Sequence, residues 1–392
     1  MAGKIFLILY VIIQILMSIL TEYIIEKNNL FKKIGRKSRA FRIILYCILA
    51  VIPVLGTFLP ISDLKYLCMR IGNIWFGFFM YYSGIIILLT PFMLLVSKKR
   101  KDDEKKLVGH VLLIAFFVAL VVNIYGLIHS QYPRKVKYEL GIDKEASVKE
   151  MKIVLIADFH LSVNSDIKLT ERMVDMVNSE NPDLILIGGD IFTSNYKGLR
   201  NPDKYSEVLS KMKATYGVYA VGGNHDVEEN LFSGFAVSPV SEAFRSSEMD
   251  KFFEDSGFEM LYDESVEIAD GSIVLVGRVD GEKAGDGTDN RMSAEELLDS
   301  LDDSKPVIVL QHEPTEYEEL ALAGADLVLS GHTHNGQVFP GNLIVPFFNE
   351  NGYGVKNLYG INTVVTAGVG YYGPPIRVGT NSEVTVINLK FK

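Results

Sequence analysis

Five of the seven histidines fall in the C-terminal two thirds of the chain, and each stands beside other residue types able to ligate a metal. The runs read Asp158-Phe159-His160, Gly189-Asp190, Gly223-Asn224-His225-Asp226, Gln311-His312-Glu313 and Gly331-His332-Thr333-His334. Carboxylate, imidazole and amide oxygen, with no thiolate, suit divalent cations that assist hydrolysis rather than electron transfer. The only cysteines, Cys47 and Cys68, lie in the N-terminal half. A thiolate zinc site or a disulfide in the histidine-bearing region is thereby excluded.

Taken singly, each run has a plain alternative. Asp158 and His160 are two apart, so in extended backbone both side chains point one way and can reach one cation. Asp190 after two glycines could cap a helix instead, or bridge two cations with its two oxygens. Asn224 offers a neutral oxygen, which leaves His225 free for proton transfer with Asp226 as its orienting partner. His312 alone would suit a hydrogen-bonded core position. His332 and His334 flank one residue and could reach two neighbouring cations. Five such runs in order favour a single polynuclear site.

The elements that must position them follow from periodicity. Apolar runs bounded by turn residues recur at 152–157, 183–187, 217–221, 273–277, 306–310, 326–329, 363–367 and 384–391. They predict strands, several buried on both faces. Helical patterns lie near 168–179, 202–213, 247–256 and 293–301, the last opening on the capping-box sequence Ser293-Ala294-Glu295-Glu296. Alternation of this kind predicts a layered α/β fold. Asp158, Asp190, Asn224, His312 and His332 all fall at or just past predicted strand ends, the edge where open α/β sheets hold ligands.

The first 150 residues are different in kind. They carry 21 Lys and Arg against 10 Asp and Glu, whereas residues 151–392 carry 18 against 38. Four apolar stretches, about 5–25, 43–60, 72–97 and 107–129, are near the ~20 residues a membrane helix needs. Pro53 and Pro91 interrupt two of them, which membrane helices tolerate. Basic loops at 26–42 (Lys27, Lys32, Lys33, Arg36, Lys37, Arg39, Arg42) and 97–106 (Lys98, Lys99, Arg100, Lys101, Lys105, Lys106) are expected on the cytoplasmic side. Four spans then place residues 130–392 on the extracytoplasmic face of a bacterial-type cytoplasmic membrane. Only Glu22 and the peripheral His110 and His129 are ionisable within the stretches, which favours an anchor over an ion path. The domain boundaries expected are 1–130 for the membrane domain, 131–149 for a linker and 150–392 for the α/β domain. The acidic α/β domain makes nucleic acid an unexpected partner. Oligomeric state is not encoded legibly.

The series D-x-H, G-D, G-N-H-D, H, G-H-x-H resembles the calcineurin-like metallophosphoesterase signature across essentially all of 151–392. Gly336-Gln337 and the ending Gly373-Pro374-Pro375-Ile376-Arg377 are similar to a branch holding UDP-2,3-diacylglucosamine hydrolase-like enzymes and transmembrane proteins with a metallophosphoesterase domain. Asn335 stands where that branch often has glycine. The resemblance implies an α/β/β/α sandwich with two divalent ions, manganese foremost, with iron or zinc as alternatives. It implies Asp158, His160, Asp190 and His334 for one ion, and Asp190, Asn224, His312 and His332 for the other. It further implies hydroxide attack on a phosphoester or pyrophosphate, with His225 as general acid and Asp226 behind it. A lipid-linked or envelope substrate of UDP-diacylglucosamine type is the leading expectation. A nucleotide or wall-polymer diester is the alternative, and a receptor on a vestigial fold the non-enzymatic one. Segment 227–247, with Leu231, Phe232, Phe235, Ala236 and Val237, reads as a packed loop or as an acyl-chain contact.

Overall fold

A computed structural model describes residues 2–27, 35–97, 102–232, 235–236, 244–285 and 290–392. Lys32, Lys33, Lys98, Lys99, Arg100, Lys101 and Val237, which figure in the orientation and loop expectations, lie outside the described residues. The chain divides into two units.

The first unit holds four long helices: α1 (Ala2–Lys27), α2 (Gly35–Phe58), α3 (Asp63–Ser97) and α4 (Asp102–His129). All four are long and apolar enough to cross a membrane. Pro53 and Pro91 sit inside α2 and α3 without ending them. Phe78, Tyr82, Ile86 and Met93 of α3 pack with Val108, Leu112, Ala115 and Ala119 of α4. Leu88 and Val121 point outward, 80% and 63% exposed, as lipid-facing side chains can. Glu22 is not a lone charge, because Arg42 grips both its carboxylate oxygens at 2.8 Å. The short strands β5 (Leu231–Phe232) and β6 (Phe235–Ala236) and the segment Gly373–Ile376 group with these helices.

The second unit is built on two six-stranded sheets. The first contains β1 (Arg134–Ile142), β2 (Glu150–Ile156), β3 (Leu184–Gly188), β4 (Val218–Val221), β7 (Glu259–Met260) and β14 (Glu383–Phe391), in the order β1-β14-β2-β3-β4-β7. The second contains β8 (Glu264–Ile268), β9 (Ile273–Gly277), β10 (Val307–Leu310), β11 (Leu327–Ser330), β12 (Gly354–Leu358) and β13 (Ile361–Val365), in the order β12-β13-β11-β10-β9-β8. Strand alternation decides the layers. Ile153 and Leu155 face the second sheet with Leu184 and Leu186, against Leu275, Ile308, Leu310, Leu327 and Leu329. Val154, Ile156, Ile185 and Ile187 face the other way, onto α5 (Ile167–Ser179), α6 (Pro202–Leu209) and α7 (Ser247–Asp255). Val274, Val276, Val309 and Val328 pack on α8 (Ala294–Leu298) and α9 (Tyr317–Leu322). The result is the α/β/β/α order expected. Both faces of the central strands are covered, so their sequences read as unbroken apolar runs.

Two local details tie sequence to element. Helix α5 buries Leu169, Met173, Val174 and Val177 at helical spacing and is capped by Asp166, which accepts from Lys168 N–H at 3.0 Å. The Ser293–Glu296 capping box forms in both directions. The region 131–149, expected as a linker, is corrected by β1, which pairs in parallel with β14 over all nine residues. Lys135 and Lys137 on that edge strand both reach Glu180, at 2.7 and 2.8 Å. Charges that suggest a solvated tether are here the outer side of an edge strand.

Candidate metal centre

The loops following β2, β3, β4, β10 and β11 meet at one end of the two sheets. Asp158, His160, Asp190 and His312 are almost fully buried there. Their backbones are unusual, since Asp158, His160, Asp190, His332 and His334 all adopt positive φ, between 48° and 72°. Left-handed backbone at several non-glycine residues is uncommon and concentrates where structure imposes it for a site. Cross-loop bonds hold it in place: Asp158 N–H donates to Gly189 O at 2.9 Å and His160 N–H to Asp190 O at 3.0 Å. Gly189 must be glycine, because a Cβ there would lie 2.8 Å from His312 Nδ1 with φ at +82°. At Gly223 a Cβ would collide with Asp190 Oδ1. Asn335 takes φ 48°, ψ 34°, a left-handed position that asparagine tolerates better than most non-glycine residues.

The side chains form two overlapping groups whose ligand atoms lie within 4.8 Å: Asp158, His160 and His334, and Asp158, Asp190 and His312. Asp190 Oδ2 stands 3.4 Å from His160 Nε2 and 3.2 Å from His312 Nε2. His160 Nε2 faces His334 Nε2 at 2.9 Å, and His312 Nε2 faces His332 Nδ1 at 3.2 Å. Paired ring nitrogens turned toward one another and a shared carboxylate form a donor set suited to cations. Asn224 completes it. Its Nδ2 donates to Glu282 at 2.9 Å, while its Oδ1 is buried and has no hydrogen-bond partner among the described residues. An orphaned amide oxygen in such a place fits a ligand role. His312 Nδ1 lies 2.7 Å from Gly188 O, which fixes Nδ1–H as the donor and turns Nε2 inward.

The electrostatics of three of the imidazoles agree with that reading. Burial drives His160 down to about 3 and His332 to about 4, and it takes His334 well below its ordinary value. These imidazoles are neutral at neutral pH, with lone pairs to give. Burial pushes the Asp158 carboxyl up to about 7, and the negative charge of Asp190 adds to the rise. Burial opposes the charge of Asp190 too, but His312 and His225 beside it hold its carboxyl well below the usual range.

His225 lies apart from the donor atoms. Its backbone N–H donates to Asp190 Oδ1 at 2.8 Å, and its ring stacks on Tyr372 with centroids 4.5 Å apart. The partner expected for it is corrected. Asp226 accepts from Phe192 N–H at 2.8 Å and from Gly223 N–H at 2.9 Å, so its carboxylate staples two loops and does not reach the imidazole. The orienting contact is instead Ser194 Oγ, 2.8 Å from His225 Nδ1. Ser194 in turn donates to Glu229 Oε2 at 2.9 Å, and Lys283 Nζ sits 2.9 Å from that same oxygen. Sequence reasoning missed Ser194, Glu229, Lys283 and Glu282. Ser194 and Glu229 lie 31 residues or fewer from His225 and 35 from each other, at no motif spacing.

Arg377 is the other residue whose role emerges only here. Fully buried, it donates to His334 O at 3.0 Å, to Ala367 O at 2.7 Å and twice to Gly370 O. Gly370 N–H bonds Asp158 O at 2.8 Å, so one guanidinium ties the His334 turn to the Asp158 loop. Burial lowers its pKa to about 10, leaving it charged.

Comparison with known proteins decides the family. The calcineurin-like phosphoesterase profile matches residues 151–336. An uncharacterized metallophosphoesterase of Aquifex aeolicus is 31% identical over 281 residues, covering 70% of this chain and 99% of that protein. The chain belongs to the calcineurin-like metallophosphoesterases. A zebrafish (Danio rerio) transmembrane protein with metallophosphoesterase domain is 31% identical over 295 residues, 71% of this chain and 62% of the relative. An uncharacterized metallophosphoesterase of Campylobacter jejuni is 31% identical over 251 residues, 62% of this chain and 60% of the relative. The chain thus spans about three fifths of the length of those two relatives. The metallophosphoesterase match includes every run from Asp158 to His334.

Proposed function

We propose that this chain is a membrane-anchored, metal-dependent phosphoesterase with a two-cation centre. The observation that carries it is Asp190 Oδ2, set between His160 Nε2 and His312 Nε2, with Asn224 Oδ1 buried on the neighbouring loop without a partner among the described residues. Asp158, His160, Asp190 and His334 would hold one cation, and Asp190, Asn224, His312 and His332 the other. Bound there, divalent cations supply Lewis acidity to phosphoryl oxygens and activate water for hydrolysis. Manganese is the first metal to test, with iron and zinc after it.

The protein's own groups do the rest. His225 is the proton donor to the leaving oxygen. If Ser194 Oγ donates to Glu229, it accepts from His225 Nδ1–H, and Nε2 is the atom left to exchange a proton with substrate. Lys283 pairs with Glu229 at 2.9 Å, and that carboxylate, behind Ser194, is placed to stabilise the imidazolium once it forms. Tyr372 limits rotation of the ring by stacking. Asp226 acts at one remove, by holding the His225 loop to the backbone of Phe192.

A lipid-linked or envelope phosphoester, such as a UDP-2,3-diacylglucosamine-like pyrophosphate, is the substrate class that joins a membrane anchor to this chemistry. Basic loops on the cytoplasmic side would put the centre on the extracytoplasmic face. The test uses the full chain in detergent, loaded with manganese, against monoester, diester and UDP-lipid pyrophosphate substrates. Activity on one class, abolished in Asp190→Asn and cut ~10²-fold in His225→Ala with metal content retained, is the expected result. Loss of metal from His225→Ala would place that residue among the ligands. Two bound metals with silence on every substrate would favour a receptor on this fold.

A further inference from the structure

We propose that the segment Phe339–Phe348, which follows the His332–His334 turn, docks on the lipid bilayer surface. It runs Phe-Pro-Gly-Asn-Leu-Ile-Val-Pro-Phe-Phe and includes the one-turn helix α10 (Gly341–Ile344) and a 3-10 turn at Val345–Phe347. Phe347 and Phe348 are 84% and 80% exposed, and Leu343, Phe339 and Ile344 between 48% and 57%. Five large apolar side chains within ten residues differ from the other exposed apolar residues of this unit. Tyr132, Phe244, Met292, Leu322 and Tyr359 are each isolated in sequence. Scattered singles are ordinary, but a contiguous apolar ridge marks an interaction surface.

The ridge is preformed. Phe339 N–H donates to Val378 O at 2.7 Å, and Val338 bridges Val378. Thr380 Oγ1 donates to Gln337 O at 2.7 Å, and Asn349 Nδ2 to Val345 O at 3.0 Å. Its apolar side chains are therefore presented on a braced loop.

Chain connectivity names the occupant. The apolar helix α4 ends at His129 and β1 starts at Arg134, a gap an extended chain spans in no more than roughly 18 Å. The unit is thus leashed close to a bilayer. The ridge's backbone partner Val378 lies two residues after Ile376. Ile376 and Pro374 group with the membrane-length helices, and a Cβ placed on Gly77 of α3 would lie 3.2 Å from Ile376 and 3.3 Å from Pro374. Within two residues of the ridge's backbone partner the chain thus passes into the four-helix unit a second time. Residues 151–392 have an excess of acidic groups, so charge attraction to anionic lipid would not carry the docking. Apolar insertion at the headgroup boundary, in zwitterionic lipid as well as anionic, is what this surface fits.

Docking of the ridge uses no chemistry of the metal centre. The full chain, with Cys47→Ser and Cys68→Ser, is placed in phosphatidylcholine nanodiscs and labelled with an environment-sensitive fluorophore at Phe347→Cys, at Leu343→Cys, or at Lys213→Cys as an exposed control. The expected result is quenching of the Phe347 and Leu343 probes by a nitroxide on the lipid acyl chain, several-fold beyond the Lys213 probe, together with protection from aqueous iodide. Iodide access at both ridge positions equal to that at Lys213, without extra lipid quenching, overturns the proposal. Using two ridge positions keeps the test decisive if one label disturbs folding. The same labels in anionic phosphatidylglycerol nanodiscs should give the same quenching ratio. A ratio that appears only in anionic lipid overturns apolar insertion.

Discussion

The two sheets bring different halves of the centre. From the ends of β2, β3 and β4 come Asp158, His160, Asp190, Asn224 and His225, while β10 and β11 deliver His312, His332 and His334. The first half is rich in carboxylate and is held by amides: His332 N–H bonds Asp158, His225 N–H bonds Asp190, and Gly223 and Phe192 bond Asp226. The second is all imidazole and is held from behind by or through carbonyls, Gly188 O for His312 and His334 O gripped by Arg377. Amides stabilise negative charge that burial would otherwise expel. The Gly188 carbonyl fixes which ring nitrogen of His312 carries the proton and leaves the other for a ligand. The acid half therefore depends on charge, and the imidazole half on orientation.

Substitutions can break that contrast. Asp190→Asn strikes the one carboxylate both halves share, and a loss of ~10³-fold or more in hydrolysis, with fewer bound metals by elemental analysis, is expected. An active, fully loaded variant would mean that the shared oxygen is dispensable. Arg377→Met leaves several carbonyls without their donor and should lower unfolding free energy by ~3 kcal/mol, read by denaturant titration. Metal binding should weaken with it, because the His334 turn is released. Arg377→Lys should recover little, since an ammonium cannot span His334, Ala367 and Gly370 together.

The proton-donor side separates more finely. Glu229→Gln should slow an alkyl phosphoester by ~10-fold while leaving a p-nitrophenyl ester, whose leaving group needs no proton, almost unchanged. Equal losses on both would make Glu229 merely structural. The smallest effect belongs to the sheet edge. Lys135 and Lys137 hold the Glu180 carboxyl down to about 2 against an ordinary value of 4.5. Because the folded value is the lower, this stabilisation is complete above about 4.5 and is lost as pH falls through about 2. Solvent screening at the lysines limits it to roughly 1 kcal/mol, so Glu180→Gln should cost about that at pH 7 and nothing near pH 2.

Much of the frame was legible in the sequence because burial on both faces writes itself as apolar runs. Strands β2, β3, β4, β10 and β11 fall within a residue or two of expectation, and the capping box at Ser293 is where its residues predict. The miss at β1 has a physical cause. Arg134, Lys135 and Lys137 follow a membrane-length helix, and the same charges suit a juxtamembrane tether or a solvated edge strand. Only pairing with β14, far along the chain, decides between them. Asp226 was misread because a neighbour in sequence need not be a neighbour in space. At the turn after β4 its carboxylate points back to Gly223 and Phe192, and Ser194 arrives at His225 from the β3 loop. Glu229 and Lys283 carry no motif, since a relay of hydrogen bonds requires proximity and not spacing. Arg377 stands in a recognisable Pro-Pro-Ile-Arg run, yet nothing in the run foretells a guanidinium spent on the carbonyls of His334, Ala367 and Gly370.

The position of β14 sets an order of events during synthesis. This strand lies between β1 and β2, although β1 and β2 are consecutive in the chain and residues 383–391 are made after the other strands of both sheets. While the ribosome is still translating the second sheet, β1 and β2 have a vacant lane between them, and the membrane helices that precede β1 have long since emerged. Insertion into the bilayer can therefore finish before the first sheet closes, and the long-range pairing of β14 is left as a late, slow step. Nascent chains stalled before residue 383 should accordingly be membrane-integrated but protease-sensitive in the region beyond α4.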